Sequence, residues 1–198
     1  MAGEQMSKIN IFTRSVLFDF LIDEKLDNEI IKELKIQENL NKKIKHSNVG
    51  GFHSESINNK FICDKILHKS FKLITDNYKL KNRTNFNLAN LWINKNNKYH
   101  FNTPHVHSAS SFSGVYYLNV PEKNGELVFL ENDMYIMNDL NAFIDSNEFS
   151  SYHEVTPKKN MFLIFPSSFS HMVNPHYEDL NRISVSFNIR LNDGQENI

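Results

Sequence analysis

The chain has 198 residues, of which 40% are hydrophobic and 12% aromatic, and its formal net charge is −1. This length and apolar content predict one folded domain with a buried core and exclude a disordered chain. A net charge this close to zero gives no electrostatic basis for binding nucleic acid or an acidic membrane.

Cysteine usage and the N-terminal segment indicate the compartment. The chain has one cysteine, Cys63, which excludes an internal disulfide and is typical of a reducing environment. The apolar run over residues 9–22 is interrupted by Arg14 and Asp19, so it predicts neither a signal peptide nor a membrane span. We therefore expect a soluble cytoplasmic protein without a membrane partner.

The first part of the sequence predicts a strand and then a helix. Residues 9–22 predict a strand because their apolar side chains share one side of an extended chain, namely Phe12, Val16, Phe18, Phe20 and Ile22. The following segment, DEKLDNEIIKELKI, spaces its apolar residues at helical intervals behind Asp23, a favourable N-cap residue. It therefore predicts a helix.

A loop and a second helix follow. The polar residues 39–56 predict a loop. Residues 59–80 predict an amphipathic helix. The face with the clearest helical spacing consists of Leu67, Phe71, Ile74 and Tyr78.

After Arg83 the pattern changes to short strands and turns. The last strand, 182–191, alternates between two faces. Its apolar face consists of Ile183, Val185, Phe187, Ile189 and Leu191. Its polar face consists of Arg182, Ser184, Ser186, Asn188 and Arg190. If the apolar face packs on helices, the polar face lines a cavity or, in a solvated edge strand, meets water.

Two histidines lie one residue apart in the stretch TPHVHSASSFSGVYYL. In an extended chain His105 and His107 point to the same side, with Val106 turned away. That arrangement suits one bound ion, but such a pair on a surface strand is also a common accident. A metal would need at least one more ligand.

His171 is the best candidate for that ligand. It follows a predicted strand and a sharp turn, MFLIFPSSFSH, which predicts a position at the mouth of the sheet, where functional sites are common. The other histidines have polar, helical or uninformative surroundings: His46, His53, His68, His100, His153 and His176. Arg182 comes soon after His171, and an arginine beside a metal can hold a carboxylate by paired hydrogen bonds, with Ser184 as a further donor.

Together these residues resemble the iron(II)- and 2-oxoglutarate-dependent dioxygenases, whose pattern is His-x-Asp/Glu, a distal His, and then Arg-x-Ser. Here the pattern reads His105-Val-His107, His171 and Arg182-Ile-Ser184. The stretches SGVYYLNVPEKNGELVF and FPSSFSHMVNP resemble the prolyl-hydroxylase-like branch. The chain is most similar to a short family of 2OG-Fe(II) oxygenases with His-x-His before Ser-Gly-x-Tyr-Tyr. The similarity spans residues 86–191.

The resemblance implies a mainly β fold with N-terminal helices, in which a double-stranded β-helix (jelly-roll) core packs on two helices. It implies one domain over residues 1–198, with a lead-in over 1–84 and the core over 85–192. It also implies a dioxygenase, most simply a hydroxylase, that uses Fe(II), 2-oxoglutarate and O2. The primary substrate would be a small molecule or a protein side chain.

The resemblance assigns site residues as well. The metal ligands would be His105, His107 and His171. Arg182 and Ser184 would bind 2-oxoglutarate. Tyr117 and Asn94 would be further contacts of the cosubstrate. A sheet tyrosine with its hydroxyl in water explains Tyr117 equally simply, and a polar surface position explains Asn94 more simply.

The sequence departs from the family pattern at His107, where a carboxylate is expected. Three neutral imidazoles would make the site more positive and less selective against Zn(II). Each imidazole has an unperturbed pKa of about 6.5, so metal affinity is expected to fall between about pH 7 and 5. In a second alignment His107 is the first ligand and Ala109 takes the carboxylate position, which resembles oxygen-dependent halogenases.

Two other functions are compatible with the sequence. A cupin-like jelly roll with three histidines would hold a metal without using 2-oxoglutarate, but it gives Arg182 and Ser184 no role. A non-catalytic jelly roll would bind a partner through the polar strand face. Residues 131–151, which contain Met134, Tyr135, Met137, Phe143 and Phe149, are expected either to cover the pocket or to pack on an edge strand.

Overall fold

The structure is a computed structural model, and it describes residues 14–41, 43–123, 125–131, 142 and 150–194. Within these residues the chain forms two helices and eleven strands. In chain order they are β1 (Leu17–Phe20), α1 (Glu24–Asn39), β2 (Asn48–Val49), β3 (Phe52–His53), α2 (Lys60–Asn77), β4 (Thr84–Asn96), β5 (Phe101–His105), β6 (Phe112–Asn119), β7 (Leu127–Leu130), β8 (Tyr152–Val155), β9 (Met161–Pro166), β10 (Ser170–Val173) and β11 (Arg182–Asp193). The predicted segment 131–151 lies almost entirely outside the described residues.

The strands form two antiparallel sheets that face each other as a jelly roll. The larger sheet has the order β1-β9-β6-β11-β4-β3, and the smaller has the order β2-β5-β10-β7-β8. The helices pack on the outer face of the larger sheet, and a second apolar cluster lies between the sheets. The predicted fold class, a mainly β jelly roll packed on two helices, is confirmed. Among the described residues, neither helix is long and apolar enough to cross a membrane.

The first helix follows the sequence prediction closely. Asp23 is its N-cap, and the carboxylate accepts a hydrogen bond from the backbone N–H of Leu26 at 3.0 Å. Leu26, Ile30 and Leu34 are buried in the core against the sheet. A period of four along this face therefore explains both the helix and its packing.

The second helix buries a face that overlaps the predicted one only at Ile74 and, in part, at Leu67. Its buried residues are Ile62, Ile66, Ser70, Leu73 and Ile74. Phe71 and Tyr78, which belong to the predicted face, are 46% and 38% exposed. The reason is Ser70, whose hydroxyl donates to the carbonyl of Ile66 at 2.7 Å, so this polar residue can be buried.

Within the described residues 14–22 of the predicted strand, β1 spans only Leu17–Phe20, and the predicted apolar face is not the one that packs on the core. Phe12 of that predicted face lies outside the described residues. Phe18 and Phe20 are exposed, whereas Leu17 and Leu21 pack against the helix-side core. Asp19, on the same side of the strand as Leu17, forms an ion pair with Lys69 of α2. The contacts with α2 therefore decide which side of this edge strand faces the core.

Two strands of the predicted lead-in also belong to the walls of the site. The predicted loop 39–56 contains β2, which pairs with β5, and β3, which pairs with β4. Both pairings join residues that are far apart in the sequence. They bring the segment 44–56 over the opening between the two sheets, where several of its residues line a pocket.

Candidate active site

The space between the sheets is a pocket of about 790 Å³. All five residues on the polar face of β11 line it. The apolar face of β11 lies in the core against the helices. Because β11 lies between β6 and β4, the prediction that its polar face lines a cavity is confirmed, and the alternative of a solvated edge strand is wrong.

Three imidazole rings meet in this pocket. His105 ends β5, His107 lies two residues further on, and His171 is the antiparallel partner of His105 on β10. One ring nitrogen from each lies within 4.8 Å of the others. Of the residues that the structure describes, these three are the group whose positions suit a metal ion.

Backbone carbonyls orient two of these rings. Nδ1 of His105 lies 2.8 Å from the carbonyl oxygen of Thr103, and Nδ1 of His171 lies 2.9 Å from that of Phe169. A carbonyl only accepts hydrogen bonds, so each Nδ1 carries the proton and each Nε2 keeps a lone pair for a metal. His107 is placed differently, since its backbone N–H donates to the carbonyl of Ser167 at 3.1 Å.

Burial keeps the three rings in the form that binds metals. It lowers the pKa of His105, lowers that of His107 to about 4 and lowers that of His171 to about 3, with further lowering at His107 and His171 from neighbouring imidazoles. His171 is only 4% exposed and contacts the rings of Phe129 and Phe165. The expectation that His171 lies at the mouth of the sheet is therefore wrong, because it is an interior residue of β10.

Three donor side chains lie together at a buried end of the same pocket. Arg182 is 3% exposed, and its Nη1 donates to the carbonyl of Gly125 at 3.0 Å. Ser184 and Tyr117 are partners across β11 and β6, and both are almost fully buried. Burial raises the pKa of Tyr117 to about 12, so its hydroxyl is protonated at neutral pH and can donate a hydrogen bond.

Asn94 also belongs to the pocket rather than to the outer surface. It lies opposite Ser184 in the pairing of β4 and β11. Its side-chain amide donates to the hydroxyl of Ser186 at 3.0 Å. The structure thus brings together all seven residues singled out in the sequence, three imidazoles and four polar groups, in one cavity.

Sequence reasoning missed part of the pocket wall. His53 is 7% exposed, and its ring stacks on Trp92 with an interplanar angle of 13°. His46 packs edge-on against His53 and also lines the pocket. Both histidines come from the predicted loop, and no local pattern marks them, because the pairings of β2 with β5 and of β3 with β4 bring this segment to the site.

The geometry also distinguishes the two possible alignments at His107. The halogenase-like alignment makes His107 the first ligand and leaves His105 without a role. The structure instead places the ring of His105 beside both other rings, with its centroid 4.3 Å from that of His171 and 5.1 Å from that of His107. The alignment that uses His105, His107 and His171 therefore agrees better with the structure.

Solved structures share this fold at low sequence identity. A prolyl-4-hydroxylase from Pseudomonas putida has a TM-score of 0.62 and 16% identity, covering 90% of this chain and 93% of that one. HygX from Streptomyces hygroscopicus, solved with nickel, 2-oxoglutarate and hygromycin B, has a TM-score of 0.60 and 8% identity, covering 90% and 83%. A viral collagen prolyl hydroxylase from Paramecium Bursaria Chlorella virus-1 has a TM-score of 0.55 and 13% identity, covering 87% and 95%. The fold is therefore the double-stranded β-helix of these oxygenases.

Residues 90–188 match the family described as "Putative 2OG-Fe(II) oxygenase", and the chain belongs to this family. No curated protein sequence matches the chain. The protein is thus an oxidoreductase whose cofactors are Fe(II), 2-oxoglutarate and O2, as predicted. The family match favours this activity over the cupin-like and the non-catalytic alternatives.

Proposed function

We propose that His105, His107 and His171 hold Fe(II), and that the enzyme hydroxylates its substrate. The observation that supports this proposal is the cluster of three imidazole nitrogens within 4.8 Å of one another. The lowered pKa values of these rings fit a metal site, because only a neutral imidazole binds a metal. Three ligands also leave coordination positions open for cosubstrate and oxygen.

The four polar residues suit the cosubstrate. Arg182 would pair with the distal carboxylate of 2-oxoglutarate, because a guanidinium can donate two parallel hydrogen bonds to a carboxylate. Tyr117 and Ser184 lie beside it and would donate further hydrogen bonds. Asn94 would contact the cosubstrate through its side-chain amide, next to Ser184.

The protein's own part in the reaction is to position the metal, the cosubstrate and the substrate and to exclude water. When bound, Fe(II), 2-oxoglutarate and O2 would supply the oxidising chemistry, in which O2 oxidises 2-oxoglutarate to succinate and CO2 as well as the substrate. Val115, Leu127 and Phe165 are apolar residues of the pocket wall and would help to exclude water around the cosubstrate. The substrate would approach from the opening between the sheets, beside the segment 44–56.

An anaerobic titration tests this proposal. The purified protein is titrated with Fe(II) and 2-oxoglutarate, then exposed to O2, and succinate is measured. We expect one iron per chain, saturable binding of 2-oxoglutarate that requires the metal, and succinate release after O2 is added. Iron uptake without any succinate would contradict the assignment of the cosubstrate site.

The titration of the rings leads to a pH prediction. We expect Zn(II) affinity to fall less from about pH 7 to 5 than it would with three unperturbed imidazoles. Protons compete with the metal only near and below the pKa of a ligand, and burial lowers the pKa of His107 to about 4 and of His171 to about 3. This replaces the expectation from unperturbed imidazoles, whose affinity would already fall by more than about tenfold between pH 7 and 6. Zn(II) titrations at a series of pH values measure the difference.

Aspartate at position 107 would give the His-x-Asp pattern of the wider iron(II)- and 2-oxoglutarate-dependent dioxygenases. We expect His107→Asp to bind Fe(II) at least as tightly as the wild type, since a carboxylate adds an attractive charge. His107→Ala should bind Fe(II) more weakly. Competitive titration with a chromophoric chelator measures both affinities.

His153→Asp is the matched control, because it makes the same chemical change at an exposed histidine of β8. It should leave iron binding unchanged. If His107→Ala binds iron as tightly as the wild type, His107 is not a ligand. If His107→Asp loses iron that the wild type holds, the pocket is shaped for an imidazole at this position.

A further inference from the structure

The pocket has a second cationic end that the assignments above do not use. Arg190 lies on the same face of β11 as Arg182, eight residues further along, or about 26 Å at the usual rise of a strand. Its Nε donates to the carbonyl of Ala109 at 3.1 Å. Ala109 is two residues beyond His107, and two residues span at most about 7 Å of extended chain. Arg190 therefore lies beside the loop that carries a candidate metal ligand.

A chain of hydrogen bonds orients a second donor at this end. The hydroxyl of Ser113 donates to Oδ1 of Asn188 at 2.7 Å, and Nδ2 of Asn188 donates to Oδ1 of Asn90, also at 2.7 Å. Because the amide oxygen of Asn90 is the acceptor in this chain, its NH2 group is left to donate. Asn90 and Arg190 both line the pocket. This end therefore presents N–H donors.

The charged residues of the pocket also favour the binding of an anion. Among the described residues that line it, none is an aspartate or a glutamate. No described carboxylate forms an ion pair with Arg190. In addition, position 107 holds a histidine where the pattern of the resembled dioxygenases has a carboxylate. A cavity with cations and without carboxylates attracts anions.

We propose that the primary substrate is an anionic small molecule, whose carboxylate or phosphate group binds Arg190 and Asn90 while its reacting carbon lies at the three histidines. This inference rests on the proposed function, since it takes those histidines as the reaction centre. A guanidinium with a neighbouring amide donor matches the oxygens of either anion. The volume of about 790 Å³ is within the range of small-molecule sites.

Binding of simple anions tests the inference without turnover. The protein is loaded with Mn(II) and saturating 2-oxoglutarate, so that Arg182 is occupied, and is titrated with inorganic phosphate, acetate or neutral acetamide. Mn(II) broadens the NMR signals of ligands that bind close to it. We expect phosphate or acetate to be broadened in the wild type, and acetamide far less. In Arg190→Gln the dissociation constant of the anion should rise at least about tenfold.

Variants make the result specific. Asn90→Ala should weaken binding of the same anion to a smaller degree. Lys35→Gln removes an exposed charge from α1 and should leave the affinity for the anion unchanged. Tighter binding of phosphate indicates a phosphate ester as the substrate, and tighter binding of acetate indicates a carboxylic acid. Equal anion affinity in Arg190→Gln and the wild type, no anion binding in the wild type, or acetamide binding as tight as that of acetate would overturn the inference.

The two proposals fail in different ways. If Mn(II) and 2-oxoglutarate bind but Arg190→Gln has no effect on the anions, only the substrate class is wrong. If the protein takes up neither, the proposed function is wrong. In that case the metal-free wild type, Arg190→Gln and Arg182→Gln are titrated with phosphate. A tenfold loss of phosphate affinity that occurs only in Arg190→Gln would still support an anion site at Arg190.

Discussion

We expect His171→Ala to reduce bound iron from one ion per chain to nearly none. The variant leaves two imidazoles in place of three, and the lost ring is the one that lies opposite His105 across the β5–β10 pair. Iron content after anaerobic loading and desalting measures the effect. His153→Ala removes an exposed histidine from the same sheet and should keep full iron content.

The fold of this variant has to be checked separately. His171 is buried against Phe129 and Phe165, so alanine leaves a cavity and is expected to lower the melting temperature. His171→Gln fills more of that space and is the second variant. If both variants keep the circular dichroism spectrum of the wild type and also keep full iron content, His171 is not a ligand.

Arg182→Lys should weaken 2-oxoglutarate binding at least about tenfold and leave iron affinity almost unchanged. Lysine keeps the positive charge but cannot donate two parallel hydrogen bonds to a carboxylate. A hydrogen bond to a charged group contributes about 1.5–3 kcal/mol, which corresponds to roughly tenfold or more in affinity. Titration of the iron-loaded protein with 2-oxoglutarate under anaerobic conditions gives the dissociation constant.

Arg83→Lys makes the same change at an exposed arginine before β4, and it should bind 2-oxoglutarate like the wild type. Arg182 also donates to the carbonyl of Gly125, so the melting temperature of the lysine variant should be compared with that of the wild type. Unchanged affinity for 2-oxoglutarate in a folded Arg182→Lys variant would mean that the distal carboxylate binds elsewhere.

Local patterns predicted the elements of this fold better than the faces those elements bury. The first helix was predicted with its cap, because Asp23 and the apolar spacing act within one segment. The second helix was also predicted, but its buried face contains a serine whose hydroxyl bonds to the helix backbone. A prediction based on the spacing of apolar residues does not count serine as buried, so it selected a face that overlaps the buried one only in part. In the first strand the aromatic residues predicted the wrong face. Phe18 and Phe20 are exposed because Asp19, on the opposite face of the strand, forms an ion pair with α2.

For the site, the sequence was most informative where one strand carries several groups. The alternation of β11 predicted that its polar residues share one surface, and the two-residue spacing of His105 and His107 predicted that they share a site. His53 was missed because it reaches the pocket through pairing between distant segments. Its place depends on tertiary structure, which no spacing rule within a short window describes.

The two faces of β11 have a consequence for how this enzyme can change. One face packs against the helices and the other carries both arginines, so a single inserted or deleted residue in this strand would exchange the two faces beyond that point. Such a change would bury charges in the core and turn apolar side chains toward the cosubstrate. Substitutions at alternate positions leave that arrangement intact. Engineering of new specificity should therefore proceed by point substitution along β11, and length variation should be confined to the connections between strands.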